Sequence, residues 1–345
     1  MIGKRRKLRV VMLADEKLLP TGRLDDFSEK ERELRKTEYH VRDAIEALGH
    51  DLVAVGVLDD LSSIRGAIDA HKPHVVFNLV EEFNGIGFFD QHVVSYLELR
   101  GQAYTGCNPR GLTLARDKAV TKKILAYHGL PVPRFEVFPR RRKVRRPDWL
   151  EFPLFVKSLT EEGSAGISSA SIVHTDAKLL ERIAFIHSAT KSAAIAEEFI
   201  DGREMYVGVM GNDSTRAFPA WEFSMTKKDP DRPLIASDRA KWDPAFQRAV
   251  GLRTGPANLP KSWATKLAAQ SRDIYRLLGL SGYARLDYRV TDSGRAYLLE
   301  ANPNPQIAED EDFAASARHA GVSYPELIGM LLRYGTSYKP TRMVL

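Results

Sequence analysis

The chain has 345 residues, of which 43% are hydrophobic and 28% are charged. This balance is typical of a globular protein with two or three domains and excludes intrinsic disorder. No apolar run approaches the roughly eighteen residues of a membrane-spanning helix, and the run at 8–14 is too short for the core of a signal peptide. We therefore expect a cytoplasmic protein with no membrane partner.

The net charge of +6 raises nucleic acid as a partner, so the distribution of charge along the chain matters. Eleven basic residues fall in two runs without acidic residues, at 4–9 and 140–146, and the total of +6 becomes −5 once these eleven charges are left out. Neither run alternates with aromatic side chains, and Pro139 and Pro147 flank the second run. We interpret both runs as exposed loops and expect no nucleic-acid partner.

In chain order, the first 108 residues alternate between strand and helix signals. The predicted elements are strands at 8–14, 51–58 and 75–79, a helix at 37–48 and a short helix at 64–68. This alternation predicts a parallel α/β sheet, and the long polar segment at 15–33 predicts a functional or mobile loop. Cys107 is the only cysteine, which excludes an intramolecular disulfide, and its apolar neighbours favour a structural thiol.

A domain boundary is predicted near Pro109, after which the pattern changes to a helix followed by strands and hairpins. The predicted elements are a helix that ends at Gly129 and strands at 153–157, 195–200, 204–210, 283–290 and 296–302. We find no internal repeat and no low-complexity segment.

The last hairpin gathers oxygen-bearing side chains on one face. Pairing its strands symmetrically about the turn at 292–293 places Arg285 opposite Glu300. Asp287 and Asn302 then share that face. Carboxylates and a carboxamide are ligands that magnesium prefers, whereas a solvated ion pair between Arg285 and Glu300 is the alternative. Two prolines that end the second strand favour the magnesium site.

Two further groupings precede this hairpin. Lys157 ends a strand and is followed by a turn of small residues at 162–166, where backbone N–H groups can approach phosphate oxygens closely. The pattern is not a P-loop, and an ordinary hairpin loop is the alternative. Glu197, Glu198 and Glu204 then place acids among apolar residues, which fits an adenine slot with a ribose acceptor. An edge strand with exposed acids is the alternative there.

Taken in order, these groupings resemble the ATP-grasp superfamily and, within it, the D-Ala-D-Ala ligase family, over nearly the whole chain. The stretches that carry the resemblance are Val76-Phe77-Asn78-Leu79, Tyr104-Thr105-Gly106, Asp117-Lys118 with Thr121-Lys122, Gly129-Leu130-Pro131, Lys157 with its turn, 197–204, Ala240-Lys241-Trp242, Arg285-Leu286-Asp287 and Glu300-Ala301-Asn302-Pro303. The resemblance implies an α/β ATP-grasp fold in which ATP lies between the second and third of three parts. These are an N-terminal Rossmann-like substrate domain at 1–108, a central subdomain at 109–193 and a C-terminal metal-binding subdomain at 194–345.

The resemblance also implies roles for individual residues and a homodimeric assembly. The implied ATP-binding residues are Lys118, Lys157, Glu197, Glu198, Phe199, Ile200, Glu204 and Lys241. The implied ligands of two Mg²⁺ ions, for which Mn²⁺ is a substitute, are Asp287, Glu300 and Asn302. Among the implied catalytic residues, Arg285 stabilises the transferring phosphoryl group, the turn at Ser164 closes over the phosphates, and Lys241 reaches them from a mobile loop.

The sequence departs from the family on its substrate side. Ala14-Asp15 stands where the family has a Gly-Gly pair, and Glu81 replaces a histidine. Trp242 replaces a tyrosine and Gln306 a glycine. Glu31 is the candidate for the acid that binds the amine of the first substrate. Because the ATP-binding residues are kept while these differ, we expect that the substrates need not be D-alanine.

We therefore predict an ATP-dependent carboxylate–amine ligase that activates a carboxylate as an acyl phosphate and releases ADP and phosphate. Its partners would be a small-molecule carboxylate and an amine, both resembling amino acids. A D-Ala-D-Ala ligase of peptidoglycan synthesis is the first alternative, and an ATP-regulated protein that binds nucleic acid or a membrane surface is the second. The acidic run at 309–312 would favour a cationic acceptor if it faces the pocket, or would simply begin a helix.

Overall fold

The computed structural model describes residues 7–161, 166–226, 235 and 243–340. The predicted site residues Ser164, Lys241 and Trp242 lie outside these ranges. No helix in the described ranges combines the length and the apolar character that crossing a bilayer requires.

Strands and helices alternate first and then give way to hairpins, as predicted. The described strands are β1 (Arg9–Asp15), β2 (Asp51–Val57), β3 (Val75–Asn78), β4 (Phe135–Phe138), β5 (Leu154–Ser158), β6 (Ile172–Val173), β7 (Ala194–Glu198), β8 (Arg203–Gly211), β9 (Thr215–Ala217), β10 (Trp221–Met225), β11 (Leu252–Pro256), β12 (Tyr283–Val290) and β13 (Ala296–Pro303). The described α-helices are α1 (Glu29–Ala47), α2 (Ser62–His71), α3 (Asp90–Leu99), α4 (Pro109–Arg116), α5 (Lys118–Tyr127), α6 (Asp176–Ala189), α7 (Pro244–Val250), α8 (Lys261–Leu277), α9 (Asp312–His319) and α10 (Tyr324–Ser337).

The N-terminal part is a parallel sheet in the order β2-β1-β3, as the alternation of elements predicts. β1 lies at its centre, and five of its seven residues are buried, which is typical of a parallel strand covered on both faces. α1 begins at Glu29, eight residues earlier than predicted, because Ser28 caps the helix and Glu31 completes a capping box. The first turns of α1 are polar and exposed, so apolar periodicity did not reveal them.

The central sheet is antiparallel, in the order β4-β7-β5-β6. Its hydrophobic cluster, which includes Leu154 and Ile183, shares no buried member with the other clusters of the described residues. β7 pairs here with β4 and β5, although the predicted C-terminal subdomain begins at residue 194. Because β7 and β8 are adjacent in the chain, the sequence indicates a hairpin between them. We place the limit between the subdomains at 199–202.

The C-terminal sheet has the order β11-β10-β8-β12-β13, with β9 paired to the end of β8. The last helix, α10, returns to the N-terminal part and packs against α1 and β3. One hydrophobic cluster therefore contains residues from both parts, such as Met12 in β1, Tyr283 in β12 and Leu331 in α10. The N-terminal and C-terminal sheets share a core, and the central sheet has its own.

The register of the β12–β13 hairpin differs from the predicted one. Asp287 lies opposite Glu300 and Arg285 lies opposite Asn302, so the predicted pairing of Arg285 with Glu300 is wrong. The turn spans residues 291–295, and a bulge follows Asp287; each feature shifts the register by one residue. Since the two shifts together amount to two residues, the same four side chains still share one face.

The described residues of the basic runs contact neighbouring groups or face solvent. Arg9 donates to the carbonyl oxygen of Lys72 at 3.0 Å. Arg146 pairs with Asp176 at 2.8 Å and lies over the ring of Phe152. The other basic residues of 140–146 are exposed, as predicted for a loop.

A backbone contact between Gly106 and Gly282 joins the N-terminal part to the C-terminal sheet. Gly282 has a φ of +68°, and a Cβ atom built on it would lie 2.3 Å from the carbonyl oxygen of Gly106. Next to this contact, the backbone N–H of Cys107 donates to Oδ1 of Asn304 at 2.7 Å. Cys107 is fully buried, and burial raises the pKa of its thiol to about 12, so it is a structural thiol as predicted.

Gly282→Ala tests this contact, and Gly85→Ala is the matched control. Both glycines have a φ of +68°, but a Cβ at Gly85 would meet no heavy atom within 4 Å. The left-handed backbone costs an alanine about 1–2 kcal/mol at either position, and the collision adds roughly 2 kcal/mol at Gly282. We expect Gly282→Ala to lower the melting temperature in calorimetry more than Gly85→Ala does; equal losses would contradict the close contact.

Candidate active site

The β12–β13 hairpin presents four polar side chains on one face, because residues two apart on a strand point the same way. The guanidinium of Arg285 donates to both carboxylate oxygens of Asp287, at 2.8 and 3.0 Å. Asn302 donates to Oδ2 of Asp287 at 2.9 Å. Arg285 also lies over the ring of Tyr206, with 4.7 Å from its guanidinium carbon to the ring centroid. Burial opposes the charge of Arg285, but Asp287 outweighs it and raises the pKa of Arg285.

Lys118 connects this face to the central subdomain. It is the first residue of α5, which Asp117 caps, and its ammonium lies 2.9 Å from Oε1 of Glu300. The same ammonium donates to the carbonyl oxygen of Glu161 at 2.7 Å, immediately before the predicted phosphate turn at 162–166. The structure therefore brings Lys118, Glu300 and the start of that turn together.

The predicted magnesium ligands suit the ion by their chemistry. Within the described ranges, no three His, Cys, Asp or Glu side chains cluster as a metal site would require. Asp287 and Glu300 nevertheless lie directly opposite each other, with the Asn302 amide on the same face. Magnesium typically takes one or two carboxylates and completes its shell with water and phosphate oxygens. These three residues therefore fit the ion, and Lys118 and Arg285 balance the two carboxylates.

A second cluster of charges lies where the central sheet meets β13. Oε1 of Glu197 lies 3.3 Å from the ammonium of Lys157 and 3.4 Å from that of Lys122, and all three side chains are buried. Lys122 also donates to the carbonyl oxygens of Leu298 and Leu299, at 3.3 and 2.8 Å. Burial lowers the pKa of Lys122 to about 8. For Lys157 burial acts in the same direction, but Glu197 and Glu300 outweigh it and raise its pKa.

Lys122 carried the family resemblance but was assigned no function from the sequence. It lies four residues after Lys118 and three before the buried Leu125, so these residues share the buried face of α5. A lysine on the apolar face of a helix was therefore the signal that marks this position. In the structure it ties α5 to β13, next to the predicted metal ligand Glu300.

The other predicted nucleotide residues lie along β7 and β8. Glu204 is buried, pairs with Arg289 at 2.9 Å and accepts a hydrogen bond from Tyr206 at 3.0 Å. Glu198 is half-buried and pairs with Arg134 at 3.3 Å. Phe199 and Ile200 follow β7 in the connection to β8, between the two sheets. Their assignment to adenine and ribose stays a prediction.

The predicted substrate residues separate in the structure. Glu31 is exposed and accepts from the backbone N–H and the hydroxyl of Ser28 at the start of α1, so its observed contacts are those of a helix cap. Glu81 and Gln306 instead line a narrow cavity of about 20 Å³ between the N-terminal part and the end of the hairpin. Glu38 and Tyr283 line the same cavity. In the acidic run, Asp310 and Glu311 pair with Lys36, and α9 begins at the next residue, as the helix-start alternative predicts.

Glu38 is the site residue that sequence reasoning missed. Its side chain is 5% exposed, and its Oε2 has no hydrogen-bond partner among the described residues. Burial, with the charge of Glu81 adding to it, raises the pKa of Glu38 to about 8. Glu38 lies on one helix face with the buried Val41 and Ile45, and this spacing was the available signal.

Glu81 lies in a recess of this cavity. Its side chain keeps solvent-accessible surface, but protein surrounds it closely enough that burial raises its pKa, with Arg116 acting in the opposite direction. Two carboxylates of raised pKa in one cavity are typical of a functional site.

Comparisons with known proteins bear on the family and the fold. The family model described as the C-terminus of D-Ala-D-Ala ligase matches residues 124–333. The chain is 34% identical over 267 residues to the uncharacterised protein y4sG of Sinorhizobium fredii, which covers 76% of this chain and 75% of that protein. It is 33% identical over 236 residues to D-alanine–D-alanine ligase of Bordetella petrii, which covers 67% of each chain.

The fold is similar to the crystal structure of D-alanine–D-alanine ligase from Bacillus anthracis complexed with ATP. The TM-score is 0.72 at 20% sequence identity, over 95% of this chain and 97% of that one. This similarity confirms the predicted α/β ATP-grasp fold.

Lys122→Met tests the buried cluster, with Lys123→Met as the control on the exposed side of the same helix. Removing the Lys122 ammonium leaves Glu197 with one cationic neighbour and two backbone carbonyl groups without their donor. We expect the free energy of unfolding to fall by about 3 kcal/mol, seen as a lower melting temperature, and Lys123→Met to change it little. Equal melting temperatures for the two variants would show that the cluster contributes nothing.

The pKa of Glu38 predicts a pH dependence of stability. Because this pKa is about 8 in the folded chain and 4.5 ordinarily, the folded chain binds more protons between these values, and stability falls as the pH rises through them. We expect the melting temperature of the wild type relative to Glu38→Gln to decrease from pH 5 to pH 8. Glu31→Gln is the control, since the capping contacts lower the pKa of Glu31 and predict no such decrease. A constant difference for Glu38→Gln would contradict the buried carboxylic acid.

Proposed function

Because the chain belongs to the D-alanine–D-alanine ligase family of ATP-grasp enzymes, which form C–N bonds, we propose that it uses ATP to join two D-alanine-like amino acids into a dipeptide. The sequence favoured a general carboxylate–amine ligase, with D-alanine–D-alanine ligase as the alternative. The names of the relatives support the alternative more specifically, so D-alanine is the first substrate to test. The observation that carries the proposal is the hairpin face, where Arg285 pairs with Asp287 and Glu300 pairs with Lys118 of α5.

ATP would lie between the central sheet and the hairpin face. Lys118 and Lys157 supply two ammonium groups for its phosphates. Lys118 pairs with Glu300, a proposed metal ligand, and Lys157 pairs with Glu197. Glu197 and the connection after β7 would line the adenine, and Glu204 would accept from a ribose hydroxyl. Lys241 and the turn at Ser164 belong to the same proposed ATP site, and both lie outside the described residues.

Magnesium ions would be held by Asp287, Glu300 and Asn302. When bound, they neutralise charge on the β- and γ-phosphates and orient the transferring group. The pairing of Lys118 with Glu300 and of Arg285 with Asp287 gives each carboxylate a fixed position. Lys118 and Arg285 are then close to the proposed position of the phosphates.

The reaction needs two steps, because a carboxylate is a poor electrophile at neutral pH. The carboxylate of the first amino acid attacks the γ-phosphorus of ATP, forming an acyl phosphate and releasing ADP. The amine of the second amino acid then attacks the carbonyl carbon, loses a proton, and expels inorganic phosphate. The guanidinium of Arg285 stays charged throughout and donates to the oxyanions of both steps.

Catalysis requires that water be kept from the acyl phosphate, since water would hydrolyse it. The narrow cavity beside Tyr283 and Gln306 leaves little room for solvent at the end of the hairpin face. The predicted closing segments at Ser164 and Trp242 lie outside the described residues.

The proposal is tested by incubating the protein with ATP, magnesium and D-alanine, and measuring ADP, phosphate and dipeptide together. We expect equal amounts of the three products. Asp287→Asn and Glu300→Gln should lower kcat by at least about 100-fold because each removes a proposed metal ligand. Asp292→Asn, an exposed carboxylate in the turn of the same hairpin, is the control and should keep wild-type activity.

Release of AMP and pyrophosphate, or no dipeptide with any amino acid, would contradict the proposed reaction. Near-normal turnover of Asp287→Asn or Glu300→Gln at saturating magnesium would contradict the metal assignment alone. Circular dichroism of each variant shows that the fold is kept.

A further inference from the structure

The cavity beside Glu38 brings two carboxyl groups together. Oε2 of Glu38 is buried without a partner, and Glu81 and Asp15 are close enough to raise the pKa of Glu38 further. Arg35 is the positive charge that acts against them, and its guanidinium lies over the ring of Phe27 at 4.8 Å. The cavity therefore holds carboxylates without a matching cation among their described neighbours.

The charges around Glu81 do not restore the balance. Arg116 is the nearest cation, but it donates to both carboxylate oxygens of Asp90, at 3.3 and 2.6 Å. Asp90 and Glu82 both raise the pKa of Glu81. A cation bound in the cavity would favour the ionised form of both carboxyl groups and would pair with them.

Two amide oxygens that line the cavity already accept hydrogen bonds. Oδ1 of Asn304 accepts from the backbone of Cys107 at 2.7 Å, and Oδ1 of Asn78 accepts from the backbone of Val80 at 3.3 Å. The volume of about 20 Å³ suits one group the size of a water molecule. An ammonium group has that size and brings three donors and no acceptor, which matches a site of carboxylates.

The cavity lies at one end of the proposed reaction site. Tyr283 precedes Arg285 by two residues on β12, and Asn304 follows Asn302 by two residues on the other side of the hairpin. A strand rises about 3.4 Å per residue, so the cavity begins about 7 Å from the Arg285 and Asn302 positions. An amino acid whose carboxylate is activated beside Arg285 would extend its other end toward Glu38.

Building on the proposed function, we infer that Glu38 and Glu81 bind a side-chain ammonium group, and that the favoured first substrate is a D-amino acid with a second amino group. The simplest member of this class is D-2,3-diaminopropionate, which is D-alanine with an amino group on its β-carbon. The methyl group of D-alanine would leave the buried Glu38 carboxyl group without a partner, and a buried polar group without a hydrogen bond is costly. An ammonium group pairs with Glu38 and Glu81. This pairing explains why Glu81 replaces the histidine of the family and Gln306 replaces its glycine.

The test compares D-alanine with D-2,3-diaminopropionate, D-2,4-diaminobutyrate and D-ornithine, which place the second amine at increasing distances. We expect kcat/KM for the best diamino acid to exceed that for D-alanine at least ten-fold. Glu38→Gln and Glu81→Gln should each reduce this ratio at least ten-fold. Glu82→Gln, which removes the next carboxylate in the chain, is the control and should keep the wild-type ratio.

Equilibrium binding separates this inference from the proposed function. Calorimetric titration with each amino acid, in the presence of a non-hydrolysable ATP analogue, should give a dissociation constant at least ten-fold lower for the best diamino acid than for D-alanine, and Glu38→Gln should remove the difference. A wild type that prefers D-alanine, or a folded Glu38→Gln variant that keeps the preference, would overturn the inference and leave the ligase in place. Preferential binding without any dipeptide would support the ammonium site and overturn the proposed reaction.

Discussion

Charge balance in the cleft is the constraint on which the rest of the structure depends. Buried charges cost several kcal/mol each unless they are paired, and this cleft contains several buried or partly buried charges in contact with charges of opposite sign. Lys118 faces Glu300 and Arg285 faces Asp287, while two buried lysines share Glu197. A triphosphate with its metal ions brings both signs of charge. In the proposed complex, the phosphates would pair with Lys118, and Glu300, its present partner, would be free to bind the metal.

The sequence was informative where the signal is local. The β12–β13 hairpin was predictable because a turn separates two alternating strands, and the lysine at the end of β5 was visible for the same reason. The register of the hairpin was not predictable, because the bulge after Asp287 depends on packing against β8. Glu38 was missed because its burial depends on residues 304–307, which reach it from the far end of the chain. β7 was assigned to the wrong sheet because sequence proximity does not identify a strand's partners.

The two sides of the site are built differently. The proposed nucleotide side rests on strands whose neighbours fix each side chain, as the Lys122 contacts to the β13 carbonyl groups illustrate. The proposed substrate side is formed mainly by α1, by the loop at Glu81 and by residues 304–307, which lie outside the strands of the three sheets. Substitutions there leave the sheets intact. This explains how one chain keeps the residues of its family on the nucleotide side while differing from them at the cavity.

The separate core of the central sheet has a mechanical consequence. The hydrophobic cluster around Leu154 and Ile183 is complete without help from the other two sheets, which share theirs. What joins α5 to the central sheet near the site is polar: Lys118 donates to the carbonyl oxygen of Glu161, and Lys122 pairs with Glu197. Turning the central sheet outward would wet ammonium, carbonyl and carboxylate groups, which water solvates well. Opening the cleft at this point would therefore work against hydrogen bonds and ion pairs instead of against the hydrophobic effect.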